Sequence, residues 1–283
     1  MSRFPVSVIV TTFNSPATLR LVLLGLVRQT VLPVEVLVAD DGSGHETAEM
    51  LDQAAPEMPF SLVHVWQPHE DFRAARSRNN AIARARGDLL AFLDQDTIPH
   101  ARWLDIHTAG LGAREVSLGD VIMLEREEAG GVTEQAVRQG RFEKLASFRN
   151  RRRLFWLHLR YRFYAALRRQ GLAVKSKPRL RSSNFALSAS VLREVNGFDE
   201  TYVGWGQEDD DLGRRLYKLG VSPRIRVATA LATHLPHPPR RSEKWNNGSN
   251  ARRYAEGAEG SARCEAGLSR HPYTDVRVRV LSS

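Results

Sequence analysis

The chain has 283 residues, of which 42% are hydrophobic and 26% charged, a balance that supports a buried core and excludes wholesale disorder. Its single cysteine, Cys264, excludes an internal disulfide framework and a cysteine-based zinc site. The formal net charge of +9 is unevenly placed, because residues 141–181 hold fourteen Lys or Arg against one acid, Glu143, so a local basic surface, and not a basic protein, needs explaining.

The first hundred residues alternate two kinds of signal. The apolar, β-branched run at 6–10 predicts a strand; residues 15–29 predict a helix, with Ser15 as N-cap and Pro16 in the first turn. A strand at 34–40, the break Asp-Asp-Gly-Ser-Gly, a short helix near 45–53, a strand at 61–66, an Ala- and Arg-rich helix at 74–86 and a strand at 89–94 continue the rhythm. Buried strands separated by helices predict an α/β fold with a mostly parallel sheet covered on both faces. Ligands of such sheets bind beyond the carboxyl ends of the strands, where polar clusters follow three of the strands: Thr11 to Asn14, Asp40 and Asp41, and Asp94 and Asp96.

Beyond residue 115 the rhythm changes. VSLGDVIML reads as one strand, the arginine- and aromatic-rich stretch from Phe148 to Arg169 as a helix, SSNFALS as a short strand or loop, ASVLREVNGF as a helix closed by Gly197, and RIRVATALA as a strand. EDDDLGRRLYKLG is a helix with acids in its first turn and Arg and Lys toward its end, which suits the helix dipole. The tail from Pro236 is left unassigned.

Asp94 and Asp96 flank Gln95 at a strand end, a spacing that suits a hard divalent cation such as Mn²⁺ or Mg²⁺ completed by substrate phosphates, and that also describes solvated loop acids. Glu208 to Asp211 are four consecutive acids after Gly-Trp-Gly; they read either as an over-capped helix or as a general base beside an indole on which a sugar ring can lie. His234 closes a strand, where a neutral imidazole either joins a metal site or is structural.

VSVIVTTFN, LVADDGS, RNNAIARARGDLLAFLDQD, SSNFALSASVLREVNGFDETYVGWGQEDDDLGRRL and ATHLPHPP, in that order, resemble family 2 glycosyltransferases of the GT-A fold. The second half looks like the galactosyltransferase-type region also found in bacterial chondroitin-type polymerases. The resemblance covers roughly residues 5–113 and 180–240. It implies a nucleotide-sugar-binding half at 1–115, an acceptor and catalytic-base half at 116–240 with a basic helical insertion at about 138–181, and a tail at 241–283. It implies an inverting, metal-dependent transfer of a sugar from a nucleotide donor, UDP-linked, to a saccharide or glycolipid in bacterial surface-polysaccharide synthesis. By the same matching Asp40 receives the donor base, Thr11 and Asn14 lie near the nucleoside, Arg78 and Asn79 form a donor-side pair, and Asp94 lies by the ribose and diphosphate. Asp96 and His234 hold the cation, with His237 as rival to His234. Asp209 is the base, Glu208 and Asp210 orient the acceptor and Trp205 borders it. A non-catalytic, carbohydrate-binding relative of the same fold is the alternative.

The basic segment admits an anionic membrane surface, an acidic polysaccharide, or plain helix packing with solvated charges. Nucleic acid is not expected, since no recognised binding motif is present and the acidic clusters oppose phosphate. With no signal-peptide pattern and no apolar run of spanning length, the expected location is cytoplasmic or peripheral on the inner membrane face.

Overall fold

Val6, Val8 and Val10 enter one hydrophobic cluster and Ile9 enters another, so the first strand, β1 (Val6–Thr12), is buried on both faces, as its unbroken apolar run requires. The structure is a computed structural model describing residues 4–172, 178–237, 248–257 and 260–282. Lys175 and Lys177 of the basic segment, and the tail between 238 and 247, lie outside the described residues.

β2 (Glu35–Asp40), β3 (Ser61–Trp66) and β4 (Leu89–Asp94) are parallel with β1, in the order β3-β2-β1-β4. Helices α1 (Pro16–Val27) and α2 (His45–Ala54) cover the valine face, and α3 (Ala74–Ile82) covers the Ile9 face. Ser15 occupies the N-cap of α1 but its hydroxyl donates to the Phe13 carbonyl, so the expected cap bond is not made.

The second half continues the same sheet. After β5 (Thr97–Pro99) and α4 (Trp103–Thr108) come β6 (Glu115–Leu118) and β7 (Asp120–Met123). The single strand expected over VSLGDVIML is therefore two, which join different sheets. The break is Gly119, where a Cβ would stand 2.3 Å from the Asn184 side chain; Asn184 accepts from Trp103 Nε1 and donates to the Asp120 and Ala230 carbonyls, tying the two sheets together.

Short helices α5 (Arg126–Ala129) and α6 (Glu134–Arg138) lead to the long α7 (Phe148–Arg169), capped by Ser147 accepting from Asn150 N–H. Then follow β8 (Asn184–Ser188), α8 (Ala189–Glu194), α9 (Glu208–Lys218), β9 (Ser222–Ile225) and β10 (Leu231–His234). β8 is antiparallel to both β4 and β6, and β9 extends β6 in parallel. RIRVATALA is likewise two strands, with a turn at Arg226–Ala230 between them. The small sheet is β5-β10-β7.

The unassigned tail has structure of its own. α10 (Ser249–Glu256) lies beside α9, with Asn250 donating to the Gly206 carbonyl, and β11 (Arg277–Ser282) pairs antiparallel with β3 to become the outer strand of the large sheet. That sheet then reads β11-β3-β2-β1-β4-β8-β6-β9.

Candidate functional site

Strand register decides which polar residues meet. Pairing of β1 with β4 sets Thr11 beside Asp94, while pairing with β2 sets Thr12 beside Asp40. Between the two acids that leave β4, Gln95 is a clamp: its carbonyl oxygen accepts from Thr12 Oγ1 at 2.8 Å and Phe13 N–H at 2.7 Å, and its amide donates to Ser15 Oγ. With the middle residue bonded into the β1 loop, its neighbours Asp94 and Asp96 both reach the cleft.

The small sheet delivers the histidines. His234 pairs with Thr97, and Leu235 N–H donates to the Asp96 carbonyl, so the end of β10 lies along the exit from β4. His234 Nε2 is 3.5 Å from one Asp96 oxygen and His237 Nε2 is 3.6 Å from the other. One donor atom from each of the three residues lies within 4.8 Å of the others. Burial drives the Asp96 carboxyl above its ordinary range, against the pull of the two imidazoles. The buried Nδ1 of His234 has no hydrogen-bond partner among the described residues. A carboxylate and two imidazoles converging in this way fit a divalent transition ion. Both His234 and His237, the two rival histidines of the sequence, lie beside Asp96.

The four acids opening α9 are distributed among separate partners. Glu208 pairs with Arg78, Asp210 with Arg179 at 2.7 Å, and Asp211 with Arg214 and Arg215. Among the described residues Asp209 makes no ion pair; it accepts Asp210 N–H at 2.7 Å and Ser182 N–H at 3.3 Å. Burial, then the charges of Glu208 and Asp210, push its carboxyl up from 3.8 to about 7. Positive φ at Gly204, Gly206 and Gln207 makes the sharp turn before the helix and leaves Trp205 40% exposed at its edge.

One cleft of about 540 Å³ collects these parts. Thr11, Arg78, Asp94 and Asp96 line it from the first half of the chain, and Trp205, Glu208, Asp209 and His234 from the second. Buried Arg78 crosses between the halves, donating to Thr11 Oγ1, Asp94 and Glu208.

Four expected residues lie elsewhere. Asp40 is fully buried, accepting from Gly42 and Ser43 N–H through one oxygen and meeting His64 Nε2 at 2.8 Å through the other. Asn79 is also fully buried: its amide bonds both backbone groups of Phe198 and the Glu200 carboxylate. Both side chains are held by partners inside the protein, and neither lines the cleft. Asn14 sits at an exposed turn with its oxygen on Gly44 N–H, and Asp210 is drawn off by Arg179. Asp41, next along from Asp40, does line the cleft; Gln67 and Arg73 N–H hold it, and burial raises its carboxyl above the ordinary range. Arg181 and Ser182, just before β8, line the cleft as well; the sequence showed them only as the end of the basic segment and the start of SSNFALS, and gave neither a site role.

The family model for glycosyl transferase family 2 matches residues 7–174, and that for the N-terminal domain of galactosyltransferase matches residues 163–238. The chain belongs to glycosyl transferase family 2. It is 28% identical to the hyaluronan synthase of Pasteurella multocida over 76% of this chain and 23% of that one, and 25% identical to the chondroitin synthase of Escherichia coli over 84% and 35%. The chain thus spans about a quarter to a third of these relatives' length. A solved mannosyltransferase from Pyrobaculum calidifontis, in complex with GDP-Man and Mn²⁺, superposes with a TM-score of 0.55 at 18% identity, covering 82% of this chain and 57% of that one. The fold of this family 2 member is GT-A, with a large, mostly parallel sheet flanked by helices.

Proposed function

We propose that this chain transfers a sugar, with inversion, from a nucleoside-diphosphate donor to a hydroxyl of a saccharide acceptor, as a step in polysaccharide synthesis. The observation that carries the reading is a single cleft shared by Asp209, an acid with only backbone donors among the described residues, and the Asp96, His234 and His237 cluster. The names of the relatives, hyaluronan and chondroitin synthases, support a polysaccharide product, and the resemblance supports UDP as the nucleotide.

Residues 1–115 take the donor side and 116–240 the acceptor side. Thr11 and Asp41 bind the nucleoside, and Asp94, oriented by Arg78, meets the ribose and diphosphate. Asp96, His234 and His237 hold a divalent cation, in keeping with the Mn²⁺ in the mannosyltransferase complex. That ion supplies charge neutralisation to the departing diphosphate. Trp205 offers its indole face to the acceptor ring, with Glu208 at its side. Asp209 takes the proton of the acceptor hydroxyl as that oxygen bonds to the anomeric carbon. The bond from this carbon to the phosphate oxygen breaks on the opposite face, and its electron pair leaves with the nucleoside diphosphate. A single displacement of this kind inverts the anomeric centre.

The test is Asp209→Asn, assayed for release of nucleotide from UDP-sugars with Mn²⁺ and for nucleotide binding by calorimetry. Transfer should fall by about 10²- to 10⁴-fold, the usual contribution of a positioned base, with binding retained. Substantial residual turnover removes Asp209 from this role.

A further inference from the structure

The long helix α7 has two apolar faces. Asn150, Leu154, Tyr161 and Ala165 are buried against the protein. On the other side Phe148, Phe155, Trp156 and Phe163 are 80%, 53%, 64% and 60% exposed, and Leu159 is exposed with them. At the helical repeat these five side chains fall within an arc of about 100°. Arg152 lies inside that arc, while Arg149 and Arg160 flank one edge and Arg151 and Arg162 the other; the helix carries no acid. No described helix is long and apolar enough to cross a membrane.

We propose that this outward face of α7 docks the protein on an anionic lipid bilayer, lying in the interface with its aromatic stripe among the headgroups and upper acyl chains. Charge complementarity selects the surface, since arginines border a bulky apolar stripe on both edges and anionic lipid headgroups satisfy both components. An acidic polysaccharide would engage the arginines and leave Phe148, Leu159 and Phe163 in water. The helix is anchored to the body of the protein: Asn150 donates to the Met123 carbonyl at 2.8 Å, and Arg153 binds Asp120 and the Val121 carbonyl. Val121 and Met123 themselves line the cleft, so docking through α7 sets the cleft at a fixed height above the lipid.

The test is sedimentation of the full chain with phosphatidylcholine vesicles, with and without phosphatidylglycerol. Each arginine at an anionic surface is worth about fivefold in binding, so phosphatidylglycerol should raise partitioning at least tenfold, and added salt should reverse the gain. The triple variant Phe155→Ala, Trp156→Ala, Phe163→Ala should lose tenfold or more. Tryptophan quenching by acyl-brominated lipid, reduced in Trp156→Phe, reports insertion without depending on the triple variant's fold. Equal binding to both vesicle types, or no loss in the triple variant, overturns the proposal. So does retention on immobilised hyaluronan that the triple variant preserves while vesicles bind neither protein. These measurements read docking alone, and their failure leaves the proposed transfer reaction standing.

Discussion

Asp94 and Glu208, one at the end of β4 and the other at the start of α9, share a single guanidinium. Arg78 Nη2 lies 2.9 Å from Asp94 and Nη1 3.2 Å from Glu208, so one buried fork joins the two halves of the chain across the cleft. Arg78→Ala leaves Glu208, 11% exposed, and Asp94, 31% exposed at the cleft, without their cation, which should cost about 1–3 kcal/mol and appear as a lower thermal midpoint. Arg78→Lys keeps the charge but has no planar fork to span two acids. Its transfer rate should drop at least tenfold with a much smaller loss of stability, and a lysine variant of normal rate would show that the bridge does not position the site.

Asp209 predicts a linked effect of pH on rate and on stability. A general base must be ionised, so kcat/KM should rise with pH through the value of about 7 to which burial, Glu208 and Asp210 push its carboxyl. Stability runs the other way. Between 3.8 and about 7 the folded state keeps a proton that the unfolded chain has released, so this group's contribution falls as pH rises across that window and is flat above it. Asp209→Asn sets its amide NH2 against one of the two N–H groups that the carboxylate accepts, so the readout is the slope: the variant should lack the parent's decline in thermal midpoint between 3.8 and about 7, while transfer falls by about 10²- to 10⁴-fold. The same decline in both proteins would contradict the burial argument.

The parallel half of the fold was readable because β1 to β4 are short, mostly apolar runs bounded by Gly, Pro and acids, and local pattern alone sets such strands. The short strands of the second half were not: Gly119 divides VSLGDVIML only because the Asn184 side chain fills the space a Cβ would need, a contact between distant segments. α7 was legible as a helix, but with apolar residues on opposite faces its periodicity did not say which face is outside. β11 was missed since its partner, β3, lies more than two hundred residues earlier. In the site, the acids and His234 were visible by type and position. The separation of Asp40 from Asp41 was not, because it depends on which way a strand end turns and on His64 from the neighbouring strand.

Metal removal should act on donor binding. With Asp96, His234 and His237 as the proposed ligands, chelation should weaken nucleotide affinity, and Asp96→Asn, His234→Ala and His237→Ala should each reduce Mn²⁺-dependent affinity by about tenfold or more, in the range typical of losses at metal sites. Calorimetry of UDP binding with and without Mn²⁺ measures this directly. If His237→Ala binds Mn²⁺ and nucleotide as the parent does, the ligand set contracts to Asp96 and His234.

The adjacent acids after β2 should separate into two phenotypes. Asp40 bonds two backbone N–H groups and His64 and touches nothing in the cleft. Asp40→Asn replaces an acceptor by a donor in a fully enclosed site, and should cost about 1–3 kcal/mol of stability with the KM for donor nearly unchanged. Asp41 is held by Gln67 and Arg73 N–H while lining the cleft, so Asp41→Asn should raise the KM for the nucleotide sugar severalfold. Urea denaturation and donor kinetics on the two variants distinguish the roles, and the reverse pattern, a donor defect in Asp40→Asn alone, would return the nucleoside contact to Asp40.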